Sequence, residues 1–253
     1  MSDNFRSRLQ RGDRLHGVIL TIDAPEVVEM MAAVGFDWFF IDGEHAPLTP
    51  TALQRLIMAA RDLPCVVRVP AHDEFWIKQV LDSGAAGIIA PMVNTPAQAR
   101  SVVGRAKYPP RGTRGVGTSR ALGYGYGIAD YVARANDDVA VIVQIEHIEA
   151  VHNVAAIAAT PGIDALFVGP FDLSLSMGKA GQVEDPAVVE AIAEIEAAGR
   201  AQGLPLGFFG VTPEAVAGWM HRGFTLIACG VDMMMLGAKA REVLGGLRAI
   251  AAR

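Results

Sequence analysis

The stretch CVVRVPAHDEFWIKQVLDSGAAGIIAP, residues 65–91, decides the fold. It opens with a short β-branched run, Cys65–Val69, closed by Pro70. An amphipathic segment, Glu74–Ser83, follows and ends at Gly84, and a second apolar run, Gly87–Ala90, comes next. Runs this short and this apolar suit strands buried on both faces, and a helix between them makes such strands parallel. The same unit recurs along the chain. Further strands are predicted at Gly17–Thr21, Trp38–Ile41, Val139–Ile145, Ala165–Val168, Leu206–Phe209 and Thr225–Cys229. Further helices are predicted at Pro25–Val34, Thr51–Arg61, Pro96–Lys107, Ile148–Ala159, Ala187–Gln202, Pro213–Arg222 and Met233–Ala252. Asp23 with Pro25, and the pairs Thr49-Pro50, Thr95-Pro96 and Thr212-Pro213, are helix starts; Gly35, Gly84 and Gly223 are helix ends. Eight strand–helix units in 253 residues predict an α/β chain folded as one (β/α)8 TIM barrel domain, 1–253. A doubly wound open sheet is the rival, because local patterns do not report closure.

The composition narrows the function. Hydrophobic residues make up 51% and charged residues 19%, which excludes a disordered chain. No run of about 18 apolar residues escapes a charge or a breaker, so no membrane span is expected. The start MSDNFRSRLQRGDR lacks the apolar core of a signal peptide. The two cysteines, Cys65 and Cys229, make no disulfide framework, and a cytoplasmic location is expected. A net charge of −5 argues against nucleic acid as a partner. One interval breaks the rhythm: Tyr108–Asp138 shows no strand or helix of normal length. Such a stretch is either a functional loop or a surface that packs on a neighbouring subunit. Its glycines neither follow a strand nor open a helix, so they make no nucleotide fingerprint. Arg114 and Arg120 within it reach a carboxylate or a subunit interface, or simply pack on the surface.

In a barrel the working residues lie at the carboxyl ends of the strands. Those ends read Asp42-Gly43-Glu44-His45, Arg68-Val69-Pro70, Pro91-Met92, Gln144-Ile145-Glu146 and Gly169-Pro170-Phe171-Asp172. Glu146 and Asp172 beside Gln144 form a hard oxygen set that suits Mg2+ or Mn2+. Their alternative is an ordinary role as helix caps or ion-pair partners. Asp42 and His45 read either as an aspartate holding an imidazole for general-base work or as a turn aspartate and a surface histidine. Glu44 between them is a further polar partner or a cap. Arg68 puts a charge in an apolar strand and needs a partner. That partner is a substrate carboxylate or enolate oxygen, or else Glu44 or another acidic loop residue. The lysines (Lys78, Lys107, Lys179 and Lys239) all lie outside the predicted strands, which disfavours a Schiff base. Neither cysteine has a histidine nearby in sequence, which disfavours thiol catalysis.

Taken together, DGEHAPLT, VRVP, GAAGIIAPMVNT, YPPRGTRGVG, QIE, VGPFDLSLSMG and GVD resemble the HpcH/HpaI aldolase family, in that family's order and over nearly the whole chain. The resemblance implies a class II, metal-dependent aldolase that interconverts 4-hydroxy-2-oxo acids with pyruvate or hydroxypyruvate and an aldehyde. It implies Glu146 and Asp172 as ligands of a divalent ion (Mg2+, Mn2+ or Co2+) and Arg68 as support for the keto oxygen and enolate. It implies His45, oriented by Asp42, as the acid–base residue. Gln144 would position the oxo acid, and Gly169, Pro170 and Phe171 would line its carboxylate pocket with backbone donors. Asp82 would come from a neighbouring subunit to the dyad, and Arg120 would stand near the aldehyde. The pattern TSRALGYGYG departs from some relatives there. The resemblance further implies a homohexamer, a trimer of dimers, with exchanged C-terminal helices; Met233–Met235 would pack on a partner or simply cover the barrel wall. Within the fold, a decarboxylase or cyclase that uses the same enolate with a different acceptor is a rival, and two further rivals stand beside this reading. One is an acyl-CoA lyase of the malyl or citramalyl type on the same barrel, and the other a barrel that binds an oxo acid without catalysis.

Overall fold

A computed structural model describes residues 3–251. The chain runs α1 (Phe5–Gln10), β1 (Leu15–Leu20), α2 (Pro25–Val34), β2 (Trp38–Asp42), α3 (Pro50–Ala59), β3 (Cys65–Arg68), α4 (Glu74–Asp82), β4 (Gly87–Ala90) and α5 (Pro96–Ala106). It continues with a 3-10 segment (Arg120–Gly125), α6 (Ile128–Asp138), β5 (Ala140–Ile145), α7 (Ile148–His152), α8 (Val154–Ala158), β6 (Ala165–Val168) and α9 (Pro170–Ser176). α10 (Pro186–Ala201), β7 (Leu206–Gly210), α11 (Pro213–His221), β8 (Leu226–Val231) and α12 (Asp232–Ala251) complete it. The strands close in sequence order into a parallel eight-stranded barrel, which selects the TIM barrel over the open sheet. The expected helix end at Ala252 lies outside the described residues.

The period of two along each strand sorts side chains between two cores. Along β2, Phe39 and Ile41 face the helices, while Trp38 and Phe40 face the barrel axis. The axis carries a column of rings: Phe5, Trp38, Phe40 and Phe167 stand 5.8, 6.1 and 5.7 Å apart in turn. Gly17 makes room for it, since a Cβ there would sit 2.5 Å from the Trp38 indole. The column stops short of the strands' carboxyl ends, where the inward positions turn polar.

Four segments differ from the sequence expectation, the short unpredicted helix α9 (Pro170–Ser176) among them. α1 was not foreseen, because its start is polar; Phe5 and Leu9, four apart, form its one apolar stripe and plug the bottom of the barrel. The interval Tyr108–Asp138 is not structureless: it holds the 3-10 segment and an eleven-residue helix, α6. α6 carries Ile128, Tyr131, Val132 and Ala135 at helical spacing, but Ala135 is its one buried residue and the glycine-rich stretch before it hides where the helix starts. The helix expected at Ile148–Ala159 is broken at Asn153, whose side chain donates to the Asn94 and Glu149 carbonyls.

Candidate active site

The register of the barrel builds the site. β2 and β3 pair so that Asp42 lies directly beside Arg68. β5 and β6 pair Gln144 with Phe167 and Ile145 with Val168, which brings Glu146 level with Gly169. Asp42, Arg68, Gln144 and Glu146 thus continue the inward-facing rows above Phe40, Val66, Ile142 and Phe167. All four are buried. A cavity of about 200 Å³ opens among them, lined by His45, Arg68, Gln144 and Asp172 on the polar side and by Ile19, Phe40 and Phe167 on the apolar side.

Arg68 is held from two sides. Its Nε and a terminal nitrogen donate to the two Asp42 carboxylate oxygens at 3.0 and 2.8 Å. Its Nε also lies 3.3 Å from Glu44, and its guanidinium sits 5.3 Å above the Phe40 ring. Burial alone would push Asp42 up, but the Arg68 hydrogen bonds and charge hold its carboxyl below the usual range. Burial pushes Glu44 up, and the neighbouring Asp42 and Asp172 add to that.

The expectation that Asp42 orients the imidazole is corrected here. Asp42 Oδ1 accepts the backbone N–H of His45 (3.2 Å) and of Glu44 (3.1 Å), so it shapes the loop rather than the ring. The carboxylate near the imidazole is Glu44, 3.5 Å from His45 Nε2. Asp42 cannot reach further because β2–β3 pairing commits both its oxygens to Arg68. The His45 side chain is 67% exposed at the rim of the cavity.

Glu146 is fixed at both oxygens. Oε1 accepts the Met92 N–H at 2.7 Å, and Oε2 accepts the Gln144 amide. Burial drives the Glu146 carboxyl up to about 7, and nearby Glu44 and Asp172 push in the same direction. A Cβ on Gly169 would lie 3.0 Å from Glu146 Oε2 and 2.9 Å from the Gln144 amide nitrogen, so glycine is what lets β6 approach. Gly169 and Pro170 are not the expected backbone donors: the Gly169 N–H is spent on Ile145 and Pro170 has none. The donors left at the start of α9 belong to Phe171 and Asp172, in the first turn. Met92 was missed from sequence. It sits at φ 51°, a left-handed conformation that nothing in a methionine side chain announces, and that geometry aims its N–H at Glu146.

A divalent cation fits the donors present. Four carboxylates (Asp42, Glu44, Glu146 and Asp172) crowd one mouth against a single arginine, and Gln144 Oε1 is buried with no hydrogen-bond partner. Among the described residues no cluster of three or more His, Cys, Asp or Glu surrounds one point, so the protein contributes few ligands, as hard cations that also bind substrate oxygens allow.

Asp82 and Arg120 are not brought to this mouth. Asp82 ends α4, at the opposite rim of its own barrel, and binds Arg114 at 2.7 Å. Arg120 donates to the Ser83 carbonyl at the same rim. Arg114, fully buried against the Tyr108 and Tyr131 rings, thus reaches a carboxylate of its own chain. The lysines lie off the strands; buried Lys107 caps the Asn136 and Val139 carbonyls far from the mouth.

The comparisons agree with this fold. The family model for HpcH/HpaI aldolase/citrate lyase matches residues 16–238. A 4-hydroxy-2-oxovalerate aldolase of Novosphingobium aromaticivorans is 41% identical over 233 residues, which are 91% of this chain and 88% of that protein. A hydroxypyruvate/pyruvate aldolase of Chromohalobacter salexigens is 41% identical over 245 residues, 95% of each chain. The crystal structure of a Burkholderia cenocepacia protein of the same family superposes with a TM-score of 0.90 at 36% identity, covering 96% of this chain and 98% of the other. With that barrel, that mouth and those relatives, the chain belongs to the HpcH/HpaI aldolase/citrate lyase family.

Proposed function

We propose that this protein is a carbon–carbon lyase, a class II aldolase. It cleaves and forms 4-hydroxy-2-oxo acids, with pyruvate or hydroxypyruvate as one product and an aldehyde as the other. The observation that carries the reading is one small cavity lined by Asp172, Gln144, the Asp42-braced Arg68 and the open His45, with Glu146 bonded to Gln144 beside it. Relatives that share most of the chain are named as aldolases of this kind.

Glu146 and Asp172 are the residues that would hold a divalent cation, of the Mg2+, Mn2+ or Co2+ kind. When bound, such an ion supplies a Lewis acid for the carboxylate and keto oxygens of the 2-oxo acid. Arg68 presents a fixed N–H fork to the oxygen on which negative charge develops when the C3–C4 bond opens. Its donors are already oriented by Asp42, so little reorganisation is needed at that moment. Gln144 and the first-turn N–H groups of α9 position the acid. His45 takes the proton from the C4 hydroxyl in cleavage and returns it in addition. The apolar floor of Ile19, Phe40 and Phe167 excludes water from beneath the reacting carbons.

The assembly completes the site in this reading. His45 is open to solvent in the single chain, and Asp82 of a neighbouring subunit, with Arg120 beside the aldehyde, would cover it. α12 is tied down at its first residue, where Asp232 accepts from the Thr21 and Ile22 N–H groups, but Met233, Met234, Leu236, Leu244, Leu247 and Ile250 along it are exposed. An apolar helix about 30 Å long calls for a cover. Exchange of α12 between barrels, within a homohexamer built as a trimer of dimers, supplies it. No helix among the described residues is long and apolar enough to cross a membrane. Two free cysteines suit a cytoplasmic enzyme.

The test is exchange of the pyruvate C3 protons in Mg2+ or Mn2+ buffer, followed by NMR. The wild type exchanges them, and Asp172→Ala keeps the fold but loses exchange. Exchange at near wild-type rate in that variant removes Asp172 from the mechanism. Borohydride with pyruvate leaves the protein unmodified; a trapped adduct would reinstate a lysine mechanism.

A further inference from the structure

The reaction cavity is not the largest hollow at this end of the barrel. A second one, about 470 Å³, lies between α10 and α11 outside β7. The two share three lining residues, Pro170, Phe171 and Phe209, so only that wall separates them. Phe171 stands in the first turn of α9, is 57% exposed, and is therefore not locked in place by packing.

The lining of the second cavity is apolar inside and charged only at the rim. Val183, Val189, Phe208, Ala215 and Trp219 form its walls, with Phe208 stacked on Trp219 at 4.9 Å. The charged residues that border it (Glu184, Glu214 and Arg222) are exposed. Arg222 is already spent: it is bonded to Glu196 and lies 4.9 Å over the Trp219 ring. Among the described residues no free cation is left there to take a phosphate or carboxylate, and no inward polar row rewards hydroxyl groups.

We propose that this cavity receives the substituent of the acceptor aldehyde, so that the enzyme selects aldehydes carrying an alkyl or aryl chain over short or hydroxylated ones. The inference rests on the aldolase reading above. The aldehyde carbon reacts in the smaller cavity, and its chain passes Phe171 and Phe209 into the larger one. Volume decides the division: about 200 Å³ beside the cation ligands accommodates a three-carbon oxo acid and a carbonyl group, and the remainder of a long aldehyde needs the additional 470 Å³. Each methylene buried there is worth about fourfold in kcat/KM.

The experiment measures aldol addition of pyruvate to acetaldehyde, glycolaldehyde, hexanal and phenylacetaldehyde. Hexanal is expected to exceed acetaldehyde by on the order of 100-fold in kcat/KM. Gly218→Leu fills the cavity from α11, where a Cβ meets nothing within 4 Å, and Val189→Phe fills it from α10. Each is expected to lower kcat/KM for hexanal at least tenfold. Acetaldehyde addition and pyruvate proton exchange should stay within about twofold. Equal rates for hexanal and acetaldehyde in the wild type overturn the proposal while leaving the aldolase reading intact. So does a uniform loss with all aldehydes in both variants. A changed sedimentation mass in the variants makes the cavity a contact between copies and overturns it too. Absence of both proton exchange and addition with every aldehyde would sink the aldolase reading and this inference with it.

Discussion

Replacing Asp42 by asparagine separates two roles that the sequence alone does not distinguish. If Asp42 acted through the imidazole, removing its charge would change the acidity of His45. The structure instead gives both carboxylate oxygens to Arg68, at 3.0 and 2.8 Å, with side-chain exposures of 5% for Asp42 and 10% for Arg68. Removing one partner of a buried ion pair costs about 3–5 kcal/mol. Glu44, 3.3 Å from the Arg68 Nε, remains as a second partner, and the asparagine carbonyl still accepts the loop N–H groups. The cost should therefore sit near the lower end, about 3 kcal/mol. For a chain of this size that lowers Tm by about 6–12 °C. Arg68 loses its fixed orientation, so kcat/KM for pyruvate proton exchange should fall by roughly 100-fold, a comparable free energy. The pH profile of exchange should keep its shape, because His45 is untouched. The assays are thermal unfolding and NMR-detected exchange from pH 5 to 9. An unchanged Tm combined with a profile displaced by a unit or more would refute the reasoning and return Asp42 to the imidazole.

Gly169→Ala places a methyl 2.9–3.0 Å from the Gln144 amide and Glu146, so it should displace Glu146, weaken Mn2+ binding by calorimetry at least tenfold and cost about 1–3 kcal/mol in urea unfolding; unchanged Mn2+ affinity would contradict the packing described for β6. Burial lowers Lys107 to about 8 from 10.5, so between those values the unfolded chain holds more protons than the native one and stability rises with pH. Urea unfolding of wild type and Lys107→Met from pH 7 to 10.5 should show the wild type gaining up to roughly 3 kcal/mol relative to the variant, and a constant difference would be evidence against the burial. The Cys65 thiol, 3% exposed and pushed up to about 12 by burial, should react with a thiol reagent only after unfolding, leaving Cys229 as the one thiol titrated in the native protein; two fast equivalents would contradict the barrel packing.

The barrel and the residues at its mouth were readable because both follow from a short period. A short apolar run followed by polar residues, as in VVR and VQIE, places those residues at the carboxyl rim of a barrel. Arg68, Gln144, Glu146 and Asp172 were found that way. What stayed hidden depends on pairing between segments distant in sequence. Asp42 stands three residues from His45, but strand register sets it beside Arg68, twenty-six residues away. Met92 acts through its backbone, which carries no side-chain signature. α6 has an apolar face (Ile128, Tyr131, Val132 and Ala135), but it follows a glycine-rich stretch instead of a strand, so it stands outside the repeating unit that revealed the other helices. The cavity beside β7 depends on the distance between two helices and on Gly218, neither of which a linear pattern reports.

The charge distribution of the mouth explains why an arginine alone does not suffice for a 2-oxo acid. Among the described residues Arg68 is the one arginine or lysine lining the mouth, and its positive charge is already balanced by Asp42 and shared with Glu44. Asp172, with the buried Glu146 nearby, then faces the incoming carboxylate in a pocket whose floor is aromatic and whose dielectric is low. A carboxylate in such surroundings repels the carboxylate that the substrate brings. In the proposed function, a divalent ion held by those side chains would reverse the sign of that interaction without altering the fold. Arg68 can then serve the charge that appears during the reaction rather than the charge the substrate brings with it, which is the division of labour that favours a transition state over a ground state. The Phe40 ring beneath the guanidinium supports the same division, because it holds Arg68 in place from the apolar side and adds no acceptor that would compete for its donors.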